Sequence, residues 1–543
     1  MTELKGNIVD IHSRRIFPAL LIIEGTRIHS ITEISEIQSQ YILPGFVDAH
    51  VHIESSMLIP TEFSRLCLPH GTIATISDPH EIANVLGMDG ISFMIENEKH
   101  TPLRILYGAP SCVPATHFET AGAEIGVSDI EKLMAMDEIG YLSEMMNYPG
   151  VLHKDPLVME KIAVAQRSGK PIDGHAPGLR GSDAESYCNA GISTDHECFT
   201  LEEALEKIQY GMSILIREGS AAKNFEELHP LIASHPDLCM FCSDDKHPDE
   251  LAKGHINQIV ARAIAKGYNL MDVLRIAHLN PKVHYNLDIG SLQIGDFADF
   301  IICDDLVNII PNEVYVKGNS IAKNGKVIID IPSISIIPNS PCNIQPISVQ
   351  DLQIPAISNK VNVIGCIPGQ LTTNTTIAKL SDSVGYLTND PLQDIIKISV
   401  INRYTSSLPA LAFVKGMGLK KGAIASTIAH DSHNIISVGV DDESMCKAIN
   451  ALIECKGGIA YADATTIEIL PLPIAGLMSD QDGYMIAEEY EKIDLLARNA
   501  GSNINAPFMT LSFLALLVIP TLKLSDKGLF NGESFTFTSL YAD

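Results

Sequence analysis

Positive charge is scarce in this sequence. Lysine and arginine together number 38 against 66 aspartates and glutamates, a formal net charge of −28. A surface that acidic repels phosphate backbones and anionic headgroups, which argues against nucleic-acid or membrane-surface binding. Long apolar runs are missing too. The longest lies near Leu511–Pro520. It is shorter than the roughly 20 residues that span a bilayer, and it reads as a core segment. The opening residues, Met1-Thr2-Glu3-Leu4-Lys5-Gly6, show no basic stretch leading into an apolar one, so no secretory signal is predicted. The 11 cysteines are scattered and odd in number. That predicts reduced thiols and a cytoplasmic setting rather than a disulfide framework. Cys239 and Cys242 have C-x-x-C spacing, but strand positions three apart face opposite sides, so a structural role is favoured over dithiol chemistry. There is no internal repeat and no low-complexity tract.

What remains is a long, well-buried chain. At 543 residues, 46% hydrophobic and 19% charged, it needs more than one core. Residues 1–43 show short β-like runs, such as Asn7–Ile11 and Ala19–Ile23. The same texture returns in 291–330, at Ala298–Cys303 and Glu313–Gly318. The two flanks are predicted to form one small β-domain. Between them, 44–290 alternates short apolar runs with amphipathic stretches such as Asp129–Met136, Leu157–Ser168 and Leu201–Gln209. Eight candidate strands end near His52, Ser77, Cys112, Glu144, His175, His196, Arg217 and Asp244. This pattern predicts an α/β fold, a (β/α)8 TIM-like barrel. Residues 331–350, with four prolines, read as a linker, and 351–543 as a C-terminal α+β domain.

Barrel enzymes carry their chemistry at the C-terminal ends of the strands. Here those ends hold His50 and His52, Glu144, His175, His196 and Asp244. His50 and His52 share a strand face, so both imidazoles meet one spot. Four imidazoles and two carboxylates exceed the needs of one tetrahedral ion. They suit two metal ions bridged by Glu144 and a water acidified to hydroxide near neutrality. Asp244 is the predicted proton carrier. Asp245 is its rival, since strand alternation lets only one of them face inward. Asp48, Asp173 and Asp195 are candidate acceptors for the outer nitrogens of the metal-binding imidazoles. His80, Glu81, Ser111, Arg217, Glu218 and Ser220 lie near other strand ends and are candidate substrate contacts. Glu54, Ser55, Ser56 and Cys112 lie close by. His430, Asp431 and His433 form either a metal pair or a loop packed near the barrel mouth.

Pro44–Met57, Asp78–Ile82, Ser111–Ala115, Glu144–Gly150, Asp173–Gly178 and Met212–Ala221 together resemble the amidohydrolase superfamily, and within it the bacterial-type adenine deaminases. The resemblance continues through His430–Ile435, Leu470–Ser479 and Lys527–Phe530, and so runs close to full length. It implies hydrolytic deamination of adenine to hypoxanthine and ammonia. It also implies two divalent transition metals per chain, Mn2+ or Fe2+, with adenine as the small-molecule partner. Where many relatives place a carboxylated lysine, this strand ends in Glu144, and Lys154 lies too far along to substitute. The alternative activity is hydrolysis of another 6-aminopurine or of a cyclic amide. A closed homo-oligomer is the default assembly.

Overall fold

In the computed structural model the described residues are 1–332, 338, 340–367 and 369–542. Part of the predicted linker, 333–337 and 339, therefore lies outside the described residues. The chain opens with β1 (Thr2–Asp10), β2 (Arg15–Glu24), β3 (Arg27–Glu33) and β4 (Tyr41–Pro44). The barrel strands follow: β5 (Phe46–Val51), β6 (Thr72–Ser77), β7 (Arg104–Ala109), β8 (Ile139–Met145), β9 (Ile172–Gly174), β10 (Thr194–Asp195), β11 (Ser213–Arg217) and β12 (Cys239–Cys242). After the barrel come β13 (Phe300–Cys303), β14 (Pro311–Val316), β15 (Asn319–Lys323) and β16 (Lys326–Val327).

The first four strands and the last four pair into one eight-stranded sheet, in the order β16-β15-β14-β13-β4-β1-β2-β3. Ile8, Leu21, Ile23, Ile42 and Phe300 pack its core. Because β13 pairs with β4, and β4 runs directly into β5, this sheet grips the barrel at its first strand.

All neighbouring barrel strands are parallel. β5 and β6 are buried at every residue, as strands covered on both faces must be. Strands β5–β9 form one ladder and β10–β12 another. Two backbone hydrogen bonds close the ring. Ser193 N donates to Ile172 O at 2.8 Å, and Asp244 N donates to His50 O at 2.9 Å. The amphipathic stretches are helices at Val127–Met134, Pro156–Ser168 and Leu201–Gln209. Asp155 caps the second by accepting from Leu157 N and Val158 N, and Thr200 caps the third by accepting from Glu203 N, which satisfies backbone donors left free at helix starts.

The C-terminal part is built on an eight-stranded mixed sheet. Its inner strands are Ala410–Lys415, Ile395–Ile401, Ile435–Gly439 and Ala423–Ser426. Helix Asp442–Cys455 covers one face, and the chain then adds helices Gly483–Asn499 and Pro507–Phe513. This part is tied to the barrel at several points. Ser479 N donates to Met57 O at 2.8 Å, Asn434 Nδ2 to Thr120 O at 2.9 Å, and Gly483 N to Glu62 Oε2 at 3.0 Å. All eleven cysteines are free thiols, Cys239 and Cys242 included. Among the described residues no helix is long and apolar enough to cross a membrane.

Lys207 is the polar pin of the thin part of the ring. It is wholly buried, and its ammonium donates to Asp195 Oδ2 at 2.8 Å, Glu203 Oε1 at 2.8 Å and Ala176 O at 2.7 Å. β10 is only two residues long, so this ion pair supplies order that its ladder does not. Lys207→Met strands two buried carboxylates and is expected to cost about 3–5 kcal/mol. Chemical denaturation measures it. A loss below about 1 kcal/mol would show that the ion pair does not hold β10.

Candidate metal centre

Parallel strands all end on one face of a barrel, and here the side chains at those ends converge. His50 is the penultimate residue of β5 and Glu144 that of β8. His52, His175 and His196 directly follow β5, β9 and β10 by one residue each, and Asp244 lies two residues past β12. All six are at least nine-tenths buried. Glu144 stands at the middle. Its Oε2 lies 2.7 Å from His175 Nδ1 and 3.2 Å from His196 Nε2, and its Oε1 lies 3.4 Å from His52 Nε2. His52 Nε2 is 3.2 Å from both His50 Nε2 and Asp244 Oδ1. The rings of His50 and His196 stack with centroids 4.1 Å apart.

The residues fit divalent metal ions. Donor atoms of His50, His196 and Asp244 lie within 4.8 Å of one another, as do those of Glu144, His175 and His196, and those of His52, Asp78, His80 and Glu144. Glu144 thus belongs to two donor groups. His50 Nδ1 and His175 Nε2 are buried without hydrogen-bond partners, a costly state for polar atoms unless something else engages them. A donor set of imidazole and carboxylate, with no thiolate, suits transition ions of intermediate hardness.

The electrostatics follow from crowding. Burial opposes ionisation of Glu144, but His175, His196 and His52 outweigh it and hold the carboxyl well below its usual range. Burial likewise opposes ionisation of Asp244, and there Arg217 and His52 prevail. Asp245 goes the other way: burial and its neighbour Asp244 push it up to about 6.

Asp244 and Asp245 both line the same chamber as the histidines. This corrects the strand-based expectation that only one of them faces inward. β12 ends at Cys242, and Asp244 has a left-handed backbone with φ 53°. Alternation stops where the strand stops, so consecutive carboxylates share a side. Asp48 sets that turn, accepting from Ser243 N at 2.9 Å and facing His255 Nε2 at 2.9 Å. Asp48 therefore orients the Asp244 loop rather than an imidazole. Asp173 accepts from Thr194 Oγ1 and Tyr285 OH, both at 2.8 Å, and Asp195 is taken by Lys207. None of the three reaches a metal-binding ring. The outer nitrogen of His52 instead faces the Asp78 carbonyl at 3.1 Å.

The structure divides the predicted substrate contacts. His80 lines the chamber, its Nδ1 3.2 Å from Asp78 Oδ2 and its Nε2 3.6 Å from Asp431 Oδ1. Arg217 is buried behind the wall. Its Nη1 donates to Asp244 Oδ2 at 2.5 Å and to Glu197, while Nη2 donates to Glu197 Oε2 at 3.1 Å. It positions two carboxylates. Glu81 accepts from Ser55 Oγ at 2.7 Å and lies outside the chamber wall, 3.8 Å from His433 Nε2. Ser111 donates to the Glu144 carbonyl at 2.6 Å, Glu218 accepts from Arg262 at 2.8 Å, and Ser220 donates to Glu250 at 2.9 Å. The last three face away because β7 and β11 end before them or at their shoulder, leaving their side chains to loop bonding.

Sequence reasoning missed Glu197, Met146, Leu371, Phe513 and Leu516, which complete the chamber with His430 and Asp431. Glu197 was readable, as the neighbour of a strand-end histidine. The apolar residues from the C-terminal part carried no local signal.

A parallel eight-stranded barrel with this donor cluster at its strand ends defines a hydrolase of the metal-dependent barrel class. Residues 41–328 match the Amidohydrolase family, and residues 370–536 match the Adenine deaminase C-terminal domain. A protein described as adenine deaminase from Salinibacter ruber is 48% identical over 543 residues, covering 100% of this chain and 99% of the relative. One from Sulfurovum sp. is 52% identical over 537 residues, covering 98% of this chain and 99% of the relative. One from Methanosarcina mazei is 47% identical over 556 residues, covering 100% of each. The chain belongs to the adenine deaminase family.

Ser111 separates the two roles assigned to it. If its hydroxyl only braces the Glu144 carbonyl, Ser111→Ala is expected to cost about 1 kcal/mol of stability, with the KM for substrate unchanged. Thermal unfolding and steady-state kinetics read both. A raised KM with unaltered stability would return Ser111 to the substrate.

Proposed function

We propose that this protein hydrolyses adenine to hypoxanthine and ammonia, and that the strand-end cluster is where it does so. The observation that carries the reading is the cluster of His50, His52, Glu144, His175, His196 and Asp244 around a shared carboxylate, in a chain related over its full length to adenine deaminases. We infer two divalent transition ions, manganese or iron, which His50, His52, Glu144, His175, His196 and Asp244 would hold. When bound, such ions supply Lewis acidity that turns water into a nucleophile near neutral pH.

The chain's own residues do the rest. The oxygen of water bonds to C6 of the purine, the C6–N6 bond breaks, and ammonia leaves. Asp244 has one oxygen fixed by Arg217 and the other facing His50 and His52. That orientation suits a base that takes a proton from the attacking water and returns it to the departing amine. The ring nitrogen beside C6 takes up a proton as charge builds on the purine, and the water's second proton replaces it in the balance when the C6 hydroxyl becomes the carbonyl. His80, Glu197, Asp245, His430 and Asp431 are the chamber's other polar groups, from which that edge would find its partners. The roof of Met146, Leu371, Phe513 and Leu516 excludes bulk water from a flat heterocycle, which strengthens each polar contact below it.

The protein is read as cytoplasmic, in keeping with its eleven free thiols, and as a closed homo-oligomer. Its parts are read as a β-domain of 1–43 with 291–330, a barrel of 44–290, a linker of 331–350 and a C-terminal domain of 351–543.

Ammonia release from adenine by manganese-loaded protein tests the activity, and hypoxanthine must form in equal amount. Ring-opened carboxylate from a cyclic amide, with no ammonia from adenine, would favour the alternative. Removing metal with a chelator is expected to abolish turnover, and readding Mn2+ to restore it. Asp244→Asn is expected to keep most of its metal while losing about 10²–10⁴ in kcat. Undiminished turnover would take Asp244 out of the chemistry.

A further inference from the structure

The inner chamber lies between the barrel's strand ends and the C-terminal part. Every residue lining it is at least nine-tenths buried, from His52 at its floor to Leu516 at its roof. Beside it lies a second cavity that opens to solvent, its rim including Lys223, Gln370, Asn503 and Asn505, all exposed. Among the described residues, Leu371 and Phe513 alone line both spaces. Together they form the wall the two spaces share.

That wall is held from behind. Lys523 is wholly buried, and its ammonium donates to the carbonyl of Leu371 and to the carbonyl of Phe513, each at 2.8 Å. Among the described residues no carboxylate pairs with it. A buried ammonium satisfied only by carbonyls is a costly way to fill space. Its two acceptors belong to the two residues of the partition, one from the segment after strand Lys360–Cys366 and one from the end of helix Pro507–Phe513. Burial also pushes the Lys523 pKa down to about 7.

The outer cavity is not a bare apolar groove. Gln370, Thr372, Asn505 and Thr510 supply amides and hydroxyls, over apolar surface from Ile504 and Leu514. A planar heterocycle with donors and acceptors around its rim matches that lining. We propose that the outer cavity is a subsite for the aminopurine base on its way to the metal centre, and that Leu371 and Phe513, pinned by Lys523, are the partition it crosses. The choice of ligand rests on the activity proposed above; the route does not. The partition is also a size filter, because a base carrying a sugar has more width to bring past the two side chains.

Metal loss tests the route without turnover. Manganese-loaded full-length protein is mixed with pyridine-2,6-dicarboxylate, a planar chelator of purine-like size, and the rate of Mn2+ removal is followed. Leu371→Ala and Lys523→Met loosen the partition and are expected to speed removal about tenfold. Thr510→Trp, which fills the outer cavity only, is expected to slow it by a similar factor. Rates unmoved by Leu371→Ala, or unslowed by Thr510→Trp, would overturn the proposal even if Lys523→Met fails to fold. A second readout uses the absence of tryptophan from the chain. Phe513→Trp places a single indole in the partition, and added adenine is expected to quench it. Unchanged emission at saturating adenine would count against Phe513 as part of the path. Protein that holds manganese but ignores adenine would sink the functional reading while leaving the chelator result to judge the partition on its own.

Discussion

Glu144 is an acid placed where an acid should not be comfortable: at the centre of a barrel mouth, nearly wholly buried, with imidazoles on several sides. Neither the carboxylate nor the rings could be tolerated there alone. A buried anion without partners would take up a proton, and four buried imidazoles without an anion or a cation would shed theirs and leave nitrogens unpaired. Together they are compatible, and most compatible with additional positive charge shared among them. Much of the surrounding structure serves to keep these groups where they would not otherwise stay. Ser111 holds the carbonyl of Glu144 itself. Arg217 fixes Asp244 and Glu197. Lys207 fixes Asp195, one residue before His196.

These supports are ordered outward from the centre. Asp48 orients none of the strand-end imidazoles, yet it fixes the 243–245 turn through Ser243 and faces the ring of the buried His255. The flanking sheet reaches the same place from the other side, since β4 passes directly into β5 and carries the first histidine pair with it. A site assembled from five strand ends is only as accurate as the ring that spaces them. The ring here is irregular, with a two-residue β10 and a backbone link in place of a ladder between β9 and β10. The buried Lys207 ion pair stands at that irregularity, where a side-chain bond does the spacing that a longer strand would otherwise do.

The barrel, its strand ends and its donors were legible because each rests on a local rule. Period-two alternation puts His50 and His52 on one side, and continuous apolar runs mark strands buried on both faces. The rules gave out where backbone geometry departs from them. Asp244 and Asp245 were separated by an alternation that ends two residues earlier, at Cys242. Ser111, Glu218 and Ser220 sit near strand ends in number but past the point at which a strand dictates direction. The roof was illegible for a different reason. Leu371, Phe513 and Leu516 come from a part of the chain more than a hundred residues beyond the last barrel strand, and nothing in their local pattern distinguishes a residue that roofs a site from one that fills a core. The loop at His430 and Asp431 was the one C-terminal feature that stood out, because polar residues in an apolar context ask for partners, and here they find them in His80 and the chamber.

The division of labour between the two halves follows from what each kind of residue can do. A barrel mouth is good at converging donors, but it is open by construction, because its loops surround the strand ends without covering them. A reaction that transfers protons among several buried acids and bases needs water in stoichiometric amount and not in bulk. The C-terminal part supplies the cover, and it does so with side chains that make no hydrogen bonds to the purine's edge and so need no exact register: Leu371, Phe513 and Leu516. The polar exceptions in that cover, His430 and Asp431, touch the barrel through His80. The cover is thereby linked to the one barrel imidazole of the chamber that is not among the six strand-end donors. Any motion that lifts the apolar roof while leaving this polar hinge in place would open a way for substrate without disturbing Glu144. Lys523 holds the two roof residues that border the outer cavity, Leu371 and Phe513, while Leu516 borders the chamber alone.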